Sequence, residues 1–566
     1  MRMASRSMAR HWRPADPLLV TTWPCAVMPD IPMSAMWTHS REKGPRPSHV
    51  ADIKGAASVA HIYGQNLVAA ESLTSFMAPW DHAPAYLKRV IDLAFVHGVN
   101  LPVIHTSVHQ PVDDKVPGLS LFIFGQHFNR HDTWAELAKP WVDYLSRNSF
   151  MLQQGRNVAD VGYFYGEEAP LTGLYENQPV PDGPKAYAYD FVNADALMNA
   201  FANDGTELVT PGGARYQVLY LGGTSRKMTL PLLRKLAQLV EGGATVVGQA
   251  PKGSPALIGD ASEYRALVEK LWPGGEMAKV GKGRVIASTD IEAALERIGV
   301  NPQFYYSGGE ADSAIPFVHR RLPDGDSFFT VNQKDRTETI EARFRVTGRV
   351  PELWRAETGK REAVSYRIEN GETLVPLTLR ADESVHVVFR KPAVADAMDV
   401  ARSEPIEVAQ LDGPWSVSFQ PGRGAPAAAE FAKLEPLDEH AEPGIRYYSG
   451  IATYTKEFAA PESWQPGQPL WLDLGEAHEV AEVIVNGSRA GYAWHAPYRV
   501  DIGAVAKKGR NTLEVRVANL WVNRLIGDAQ PDAEKLTWTA LPTYRANAPL
   551  RRSGLIGPVR ILSTAR

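Results

Sequence analysis

The residues best placed to do chemistry lie early in the chain. Ala56-Ala57-Ser58-Val59-Ala60-His61-Ile62-Tyr63-Gly64-Gln65-Asn66-Leu67-Val68-Ala69-Ala70-Glu71-Ser72 reads as an Ala-rich helix, a Tyr-Gly turn and a short apolar strand ending on a carboxylate. In a (β/α) barrel the C-terminal tip of a strand lies at the active-site rim, which makes Glu71 the first candidate catalytic group. Its other reading is a solvated or helix-capping Glu after a strand. Hydrolysis by paired carboxyl groups needs one to protonate a leaving oxygen and one to activate water. Glu71 suits the base. No second carboxylate between residues 30 and 155 has a comparable place: Asp81 reads as a loop residue and Asp92 as a helix-surface residue.

A second set of polar residues follows the next short strand, Leu101-Pro102-Val103-Ile104-His105. His105, His109, Gln110, Gln126, Asn129 and Arg130 are residue types that hold sugar hydroxyls. Two other readings stand beside that one. His105 and His109 have the His-x₃-His spacing of a zinc site, which needs a helix and a third ligand. The whole set also reads as a buried polar network holding a long loop. Glu167 and Glu168, further on, read as structural. Trp494, Trp521 and Asn523-Arg524 read either as a sugar platform or as an interdomain brace.

Positioning these groups takes several domains, and the 566 residues allow about three to four. Residues 1–155 alternate helix and strand in two or three β/α units, less than half a barrel. Residues 156–305 read as a doubly wound, flavodoxin-like α/β domain, with strands at 158–165, 215–221 and 244–248 and a helix at 230–241. Its Gly222-Gly223 turn lacks the GxGxxG pattern and reads as a plain strand-to-helix connection. Residues 306–395 alternate as a small β-sandwich. After a linker, residues 405–566 read as a longer β-sandwich or jelly roll with a hairpin signal at Asn486-Gly487.

Bulk composition excludes some partners. The net charge of −4 and the lack of an extended basic run argue against nucleic acid. No apolar run approaches the roughly 20 residues that span a bilayer. A lone cysteine, Cys25, rules out an intramolecular disulfide framework. Met1-Arg2-Met3-Ala4-Ser5-Arg6 is basic, but Arg10, His11 and Arg13 interrupt any apolar core, so it does not read as a signal peptide. With Met1 as the true start, the protein would be cytoplasmic.

Three segments together carry a family resemblance. They are residues 56–72; His105-Thr106-Ser107-Val108-His109-Gln110-Pro111 through Phe124-Gly125-Gln126-His127-Phe128-Asn129-Arg130 to Leu152-Gln153-Gln154-Gly155; and Asp160-Val161-Gly162-Tyr163-Phe164-Tyr165-Gly166-Glu167. Towards the C-terminus, Leu472-Asp473-Leu474-Gly475, Val485-Asn486-Gly487, Asn519-Leu520-Trp521-Val522-Asn523-Arg524 and Ser553-Gly554-Leu555-Ile556-Gly557-Pro558 agree with a galactose-binding-like sandwich. In this order they resemble glycoside hydrolase family 106, the bacterial α-L-rhamnosidases. The resemblance covers residue 50 to the C-terminus and implies a complete (β/α)₈ barrel of which the first half is missing here. It implies inverting hydrolysis of terminal α-L-rhamnosyl residues from plant or bacterial glycosides and polysaccharides. It also implies a bound calcium ion, whose ligands the sequence does not assign, and a periplasmic or secreted location.

It further places the general acid on an earlier strand, in the missing part or on an upstream barrel half supplied in trans. The chain alone is then expected to turn over substrate poorly. Ile31-Pro32-Met33-Ser34-Ala35-Met36-Trp37-Thr38 resembles a family segment with an acidic residue where Ala35 stands. The alternative function is a non-catalytic carbohydrate-binding remnant acting through the C-terminal sandwich.

Overall fold

The computed structural model describes residues 8–10, 30–126, 128–257, 259–401 and 404–564. Cys25 and most of the stretch weighed as a leader lie outside them. Two compact units emerge, one of Met1–Ser72, Val90–Val103 and Ser146–Val400, the other of Leu73–Arg89, Ile104–Leu145 and Ala401–Arg566.

The first unit begins with Met8–Arg10 (β1), Ile31–Trp37 (β2), Ala69–Thr74 (β3) and Leu101–Ile104 (β4), neighbours in that order in a four-stranded sheet. Helix Pro47–Tyr63 (α1) joins β2 to β3, Pro84–Val96 (α2) joins β3 to β4, and Lys139–Leu152 (α3) follows. Strand and helix alternate as the residue pattern predicts. The Ala-rich composition of α1 has a packing cause. Ala51, Gly55, Ala56, Ala57 and Ala60 are buried, so small side chains face neighbours on several sides. Ser58 accepts the Phe191 N–H at 2.8 Å, and the His61 ring meets Asp190 at 2.7 Å, which binds the helix to strand Tyr189–Val192. Gly64 ends the helix with φ 81°, where a Cβ would meet the Gly212 backbone at 2.8 Å. The Ala35 N–H of β2 donates to the Asp52 carboxylate of α1 at 3.0 Å. Burial pushes that carboxyl up to about 7, the Ala35 N–H opposing the shift.

The α/β part of this unit is doubly wound. Strands Tyr189–Val192, Val161–Phe164, Val218–Leu221, Thr245–Val247 and Gly283–Ile286 lie parallel in that spatial order, with Met277–Val280 antiparallel at the edge. This is the flavodoxin-like order. At its switch point the Gly223 N–H donates to Asp182 at 3.0 Å, and Asp182 also accepts the Tyr163 hydroxyl at 2.6 Å. The chain's own carboxylate thus occupies the place an anion would need, and Gly222-Gly223 is a plain connection. Beside it lie two antiparallel sheets around Phe304, Phe328, Phe344 and Phe389. Strand Phe317–Leu322 pairs there with Arg156–Asn157, so the sheet takes in the chain just after α3. Arg320, 5% exposed, donates to the carbonyls of Gln154 at 2.9 Å and Gly155 at 2.8 Å and to the Asn66 side chain at 2.7 Å. Desolvation holds its guanidinium down to about 10.

In the second unit, Ala428–Phe431, Trp415–Phe419, Ile451–Ala459, Arg510–Ala518, Val480–Val485 and Ser488–Ala493 form one sheet of a sandwich. Ile406–Gln410, Arg560–Ser563, Leu470–Asp473 and Arg499–Asp501 form the other. Trp415, Tyr454, Trp464 and Leu472 lie in the core they enclose. Asn486 (φ 53°) and Gly487 (φ 76°) make the two-residue hairpin turn that their types require. Among the described residues no helix is long and apolar enough to cross a membrane.

Two outcomes follow from the buried polar groups of the first unit. Arg320→Met strands three acceptors and should lower stability by about 2–3 kcal/mol in thermal or urea unfolding. Arg320→Lys should recover less than half of that loss, because an ammonium lacks the planar fork. For Asp52 the folded value lies above the unfolded one, so its favourable contribution is full below about pH 4 and is lost as pH rises through about 7. The Asp52→Asn variant should therefore match the parent's melting temperature in acid and exceed it at pH 8.5. A constant difference across that range would contradict this assignment.

Candidate active site

Glu71 is the third of six residues in β3, and all six are buried. It is 6% exposed. Ser72, Leu73 and Thr74 extend the strand past it, so the carboxylate lies inside the strand and not at its tip as the apolar run predicts. Burial also removes the reading of Glu71 as a solvated residue, since an ionised carboxylate in such a place is costly unless its site provides for it. Two positions on, Leu73 holds φ 68°. For a leucine this left-handed conformation costs on the order of 1–2 kcal/mol, and strain of that kind gathers at functional sites.

The loop residues lie in the second unit and are stitched to one another. Gly125 N–H donates to Ser75 O at 3.0 Å, Ser75 Oγ to Gly125 O at 2.6 Å, and Met77 N–H to Ile123 O at 3.0 Å. Gln126 donates its side-chain amide to Leu73 O at 2.8 Å and its N–H to His105 O at 2.8 Å. Gln110 accepts the Leu119 N–H and donates to Leu119 O, both at 2.8 Å. Gly118 makes that fit possible: a Cβ there would come within 2.1 Å of the Gln110 Oε1. Arg130 donates to Gln110 O at 2.8 Å and to Asp113 at 2.7 Å, and the Asn129 side chain accepts the His131 N–H at 2.8 Å. His105 is half-buried just past β4, and His109 is exposed. The fold thus gathers His105, Gln110, Gln126, Asn129 and Arg130 into one bonded loop, in which Gln110, Gln126 and Arg130 grip backbone carbonyls. His109 stands apart at its surface.

The other candidates take their places in the fold as follows. Asp92 is fully buried on α2 instead of lying on the helix surface, because that face packs inward. Asp81 makes a two-point ion pair with Arg551, at 2.6 and 2.7 Å. Trp494 and Trp521 are 4% and 0% exposed and leave no face for a sugar. Trp494 packs its ring against Trp141 at 5.7 Å and Tyr144 at 5.5 Å, while Trp521 donates to His131 O at 2.8 Å. Asn523 accepts the Arg551 N–H at 2.7 Å, and Arg524 pairs with Asp528 at 2.8 Å. Glu167 accepts the Thr229 N–H and hydroxyl at 2.7 and 3.0 Å, just before helix Leu230–Gly242. Glu168 pairs with Lys227 at 3.1 Å.

Two further carboxyls, not marked by residue type or spacing, hold protons near neutrality. One is Asp52. The other is Asp132, pushed up to about 8 by burial against the opposing N–H and hydroxyl of Thr133. The available signal was position: Asp132 directly follows the Asn129-Arg130-His131 run and precedes the buried Trp134. The implied calcium ion finds little support from side chains. Among the described residues no three or more His, Cys, Asp or Glu groups gather to hold a metal, so those residues do not fit a carboxylate cage or the zinc reading of His105 and His109. No chemical step is derived through a metal.

Comparison with known proteins bears on these residues. A family model described as alpha-L-rhamnosidase, of glycoside hydrolase family 106, matches residues 21–368. A second, described as the galactose-binding domain-like part of glycosyl hydrolase 2, matches residues 435–551. A solved rhamnosidase structure from Novosphingobium sp. PP1Y is 61% identical with a TM-score of 0.93, over 95% of this chain and 51% of that one. A Formosa agariphila protein named "Putative beta-glucuronidase" is 26% identical over 98% of this chain and 67% of its own length. The chain thus spans about half the length of the solved rhamnosidase it matches. On the family match, which takes in β2, β3, β4 and the loops between them, this chain belongs to the alpha-L-rhamnosidases of glycoside hydrolase family 106.

Proposed function

We propose that this chain carries part of the machinery of an inverting glycosidase that removes terminal α-L-rhamnosyl residues from plant or bacterial glycosides and polysaccharides. The observation that carries the reading is the likeness to a solved rhamnosidase at 61% identity and TM-score 0.93. In this reading Glu71 is the general base. It takes a proton from water as the oxygen attacks the anomeric carbon, while a general acid protonates the departing oxygen on the opposite face. In this reading sugar hydroxyls fall to the polar side chains of the loop that carries His105, His109, Gln110, Gln126, Asn129 and Arg130. The acid is the unfilled role. Asp52 and Asp132 hold protons near neutrality, yet Asp52 accepts the Ala35 N–H and Asp132 the Thr133 N–H, which makes both local ties. The acid is assigned instead to a strand outside these residues. The alternative of a carbohydrate-binding remnant loses its carriers with the burial of Trp494 and Trp521.

This division of roles has a kinetic signature. A leaving group as acidic as 2,4-dinitrophenol departs without protonation, so the 566-residue chain should hydrolyse its α-L-rhamnoside while barely touching methyl α-L-rhamnoside. Glu71→Gln should lower kcat/KM on the activated substrate by roughly 10²–10⁴-fold. Equal activity on the methyl glycoside would place the acid inside this chain, and an unchanged Glu71→Gln rate would remove Glu71 from catalysis. Proton NMR of the first product should show β-L-rhamnose. The α-anomer as first product would refute inversion.

A further inference from the structure

Residues 75–83 continue the strand that bears Glu71, yet they form no helix and only one isolated bridge, Phe76 to Phe124. Met77 and Trp80 sit there at φ 57° and 53°, conformations a Met or Trp adopts under constraint. The constraint comes from the far end of the chain within the same unit. Tyr544 donates its hydroxyl to Pro79 O at 2.8 Å. Arg551 closes on both oxygens of Asp81 at 2.6 and 2.7 Å, across 470 residues of sequence. Trp80, 4% exposed between them, packs in a cluster with Trp521, Leu525, Val116 and Tyr544. Arg551 is itself bracketed by Asn523, which accepts its N–H and donates to its carbonyl, both at 2.7 Å. The neighbouring loop is held in the same way: Trp538 N–H donates to Val116 O at 2.7 Å, and Trp538-Thr539 pairs with Pro117-Gly118.

We propose that Arg551 is a positioning residue of the glycosidase site, acting through Asp81 to set the loop 75–83 that follows the Glu71 strand. The sandwich then serves this site by shaping a loop, in place of binding sugar. The proposal rests on the glycosidase reading above. A guanidinium suits the task because its fork meets a carboxylate at two points and fixes an orientation, which an ammonium does not.

The test uses the 566-residue chain as parent with Arg551→Lys, Arg551→Met and the exchanged pair Asp81→Arg/Arg551→Asp. Hydrogen exchange over residues 75–83 should quicken at least roughly tenfold in Arg551→Met, less in Arg551→Lys, and return towards the parent in the exchanged pair. On the dinitrophenyl rhamnoside, Arg551→Met should lose kcat/KM on the order of 10²-fold, chiefly through KM, with the same order of rescue. Unchanged exchange would refute the clamp. Faster exchange with unchanged kcat and KM would leave the loop outside the site and overturn the positioning role. If a variant unfolds, which the sandwich's exchange pattern would reveal, Tyr544→Phe, which removes the Pro79 bond alone, must still quicken exchange at 75–83 and raise KM. A parent that neither turns over this substrate nor binds a rhamnose-like iminosugar in calorimetry would sink the glycosidase reading itself. The loop-exchange results are independent of that failure.

Discussion

The structure of the second unit turns on how two long loops are held. Residues 75–83 and 105–134 contribute little regular structure to it, and ordering a backbone costs roughly 1–2 kcal/mol per residue. Such segments stay in one conformation only when something with its own core holds them. That something is the sandwich built from residues 401–566, whose core is ordered by two sheets. The Arg551 to Asp81 pair, the Trp521 to His131 hydrogen bond and the Trp494 packing against Trp141 and Tyr144 are among the points of attachment. The two polar contacts among them are buried or two-pronged, the geometry in which a polar contact is worth most.

The first unit is tied by another kind of contact, a charged side chain that bonds to groups on other elements. Arg320 gathers the turn after α3, Asn66 and the β-domain strand at one guanidinium. Asp52 accepts an N–H of β2, and Asp190 receives both His61 and Tyr216. Groups of this sort add little net stability but penalise every arrangement that leaves them unpaired. They select which strand and helix meet.

Much of the architecture was legible from residue patterns. The Asn486-Gly487 turn, the helix after Gly222-Gly223 and the β/α alternation around residues 47–104 follow from local chemistry, which is why short windows reveal them. The position of Glu71 within its strand was less legible, because Ser-Leu-Thr after an apolar run does not mark where pairing stops. The burial of Asp92 was illegible for a related reason: a charged residue on an amphipathic helix reads as solvated unless the partner packed over it is known. Gln110 and Gln126 illustrate the same limit. Their types suit sugar hydroxyls, but the nearest groups turned out to be Leu119 and the Leu73 carbonyl.

From the sequence by itself come the family, the kind of chemistry and the candidate base, since these rest on residue types in a fixed order along the chain. The tertiary structure alone decided which of those residues are occupied by their own fold, which carboxyls keep a proton, and what the C-terminal sandwich does for the loops. The physical reason is distance along the chain. Burial, desolvation and two-point ion pairing depend on neighbours in space, and for Asp81 that neighbour lies 470 residues away.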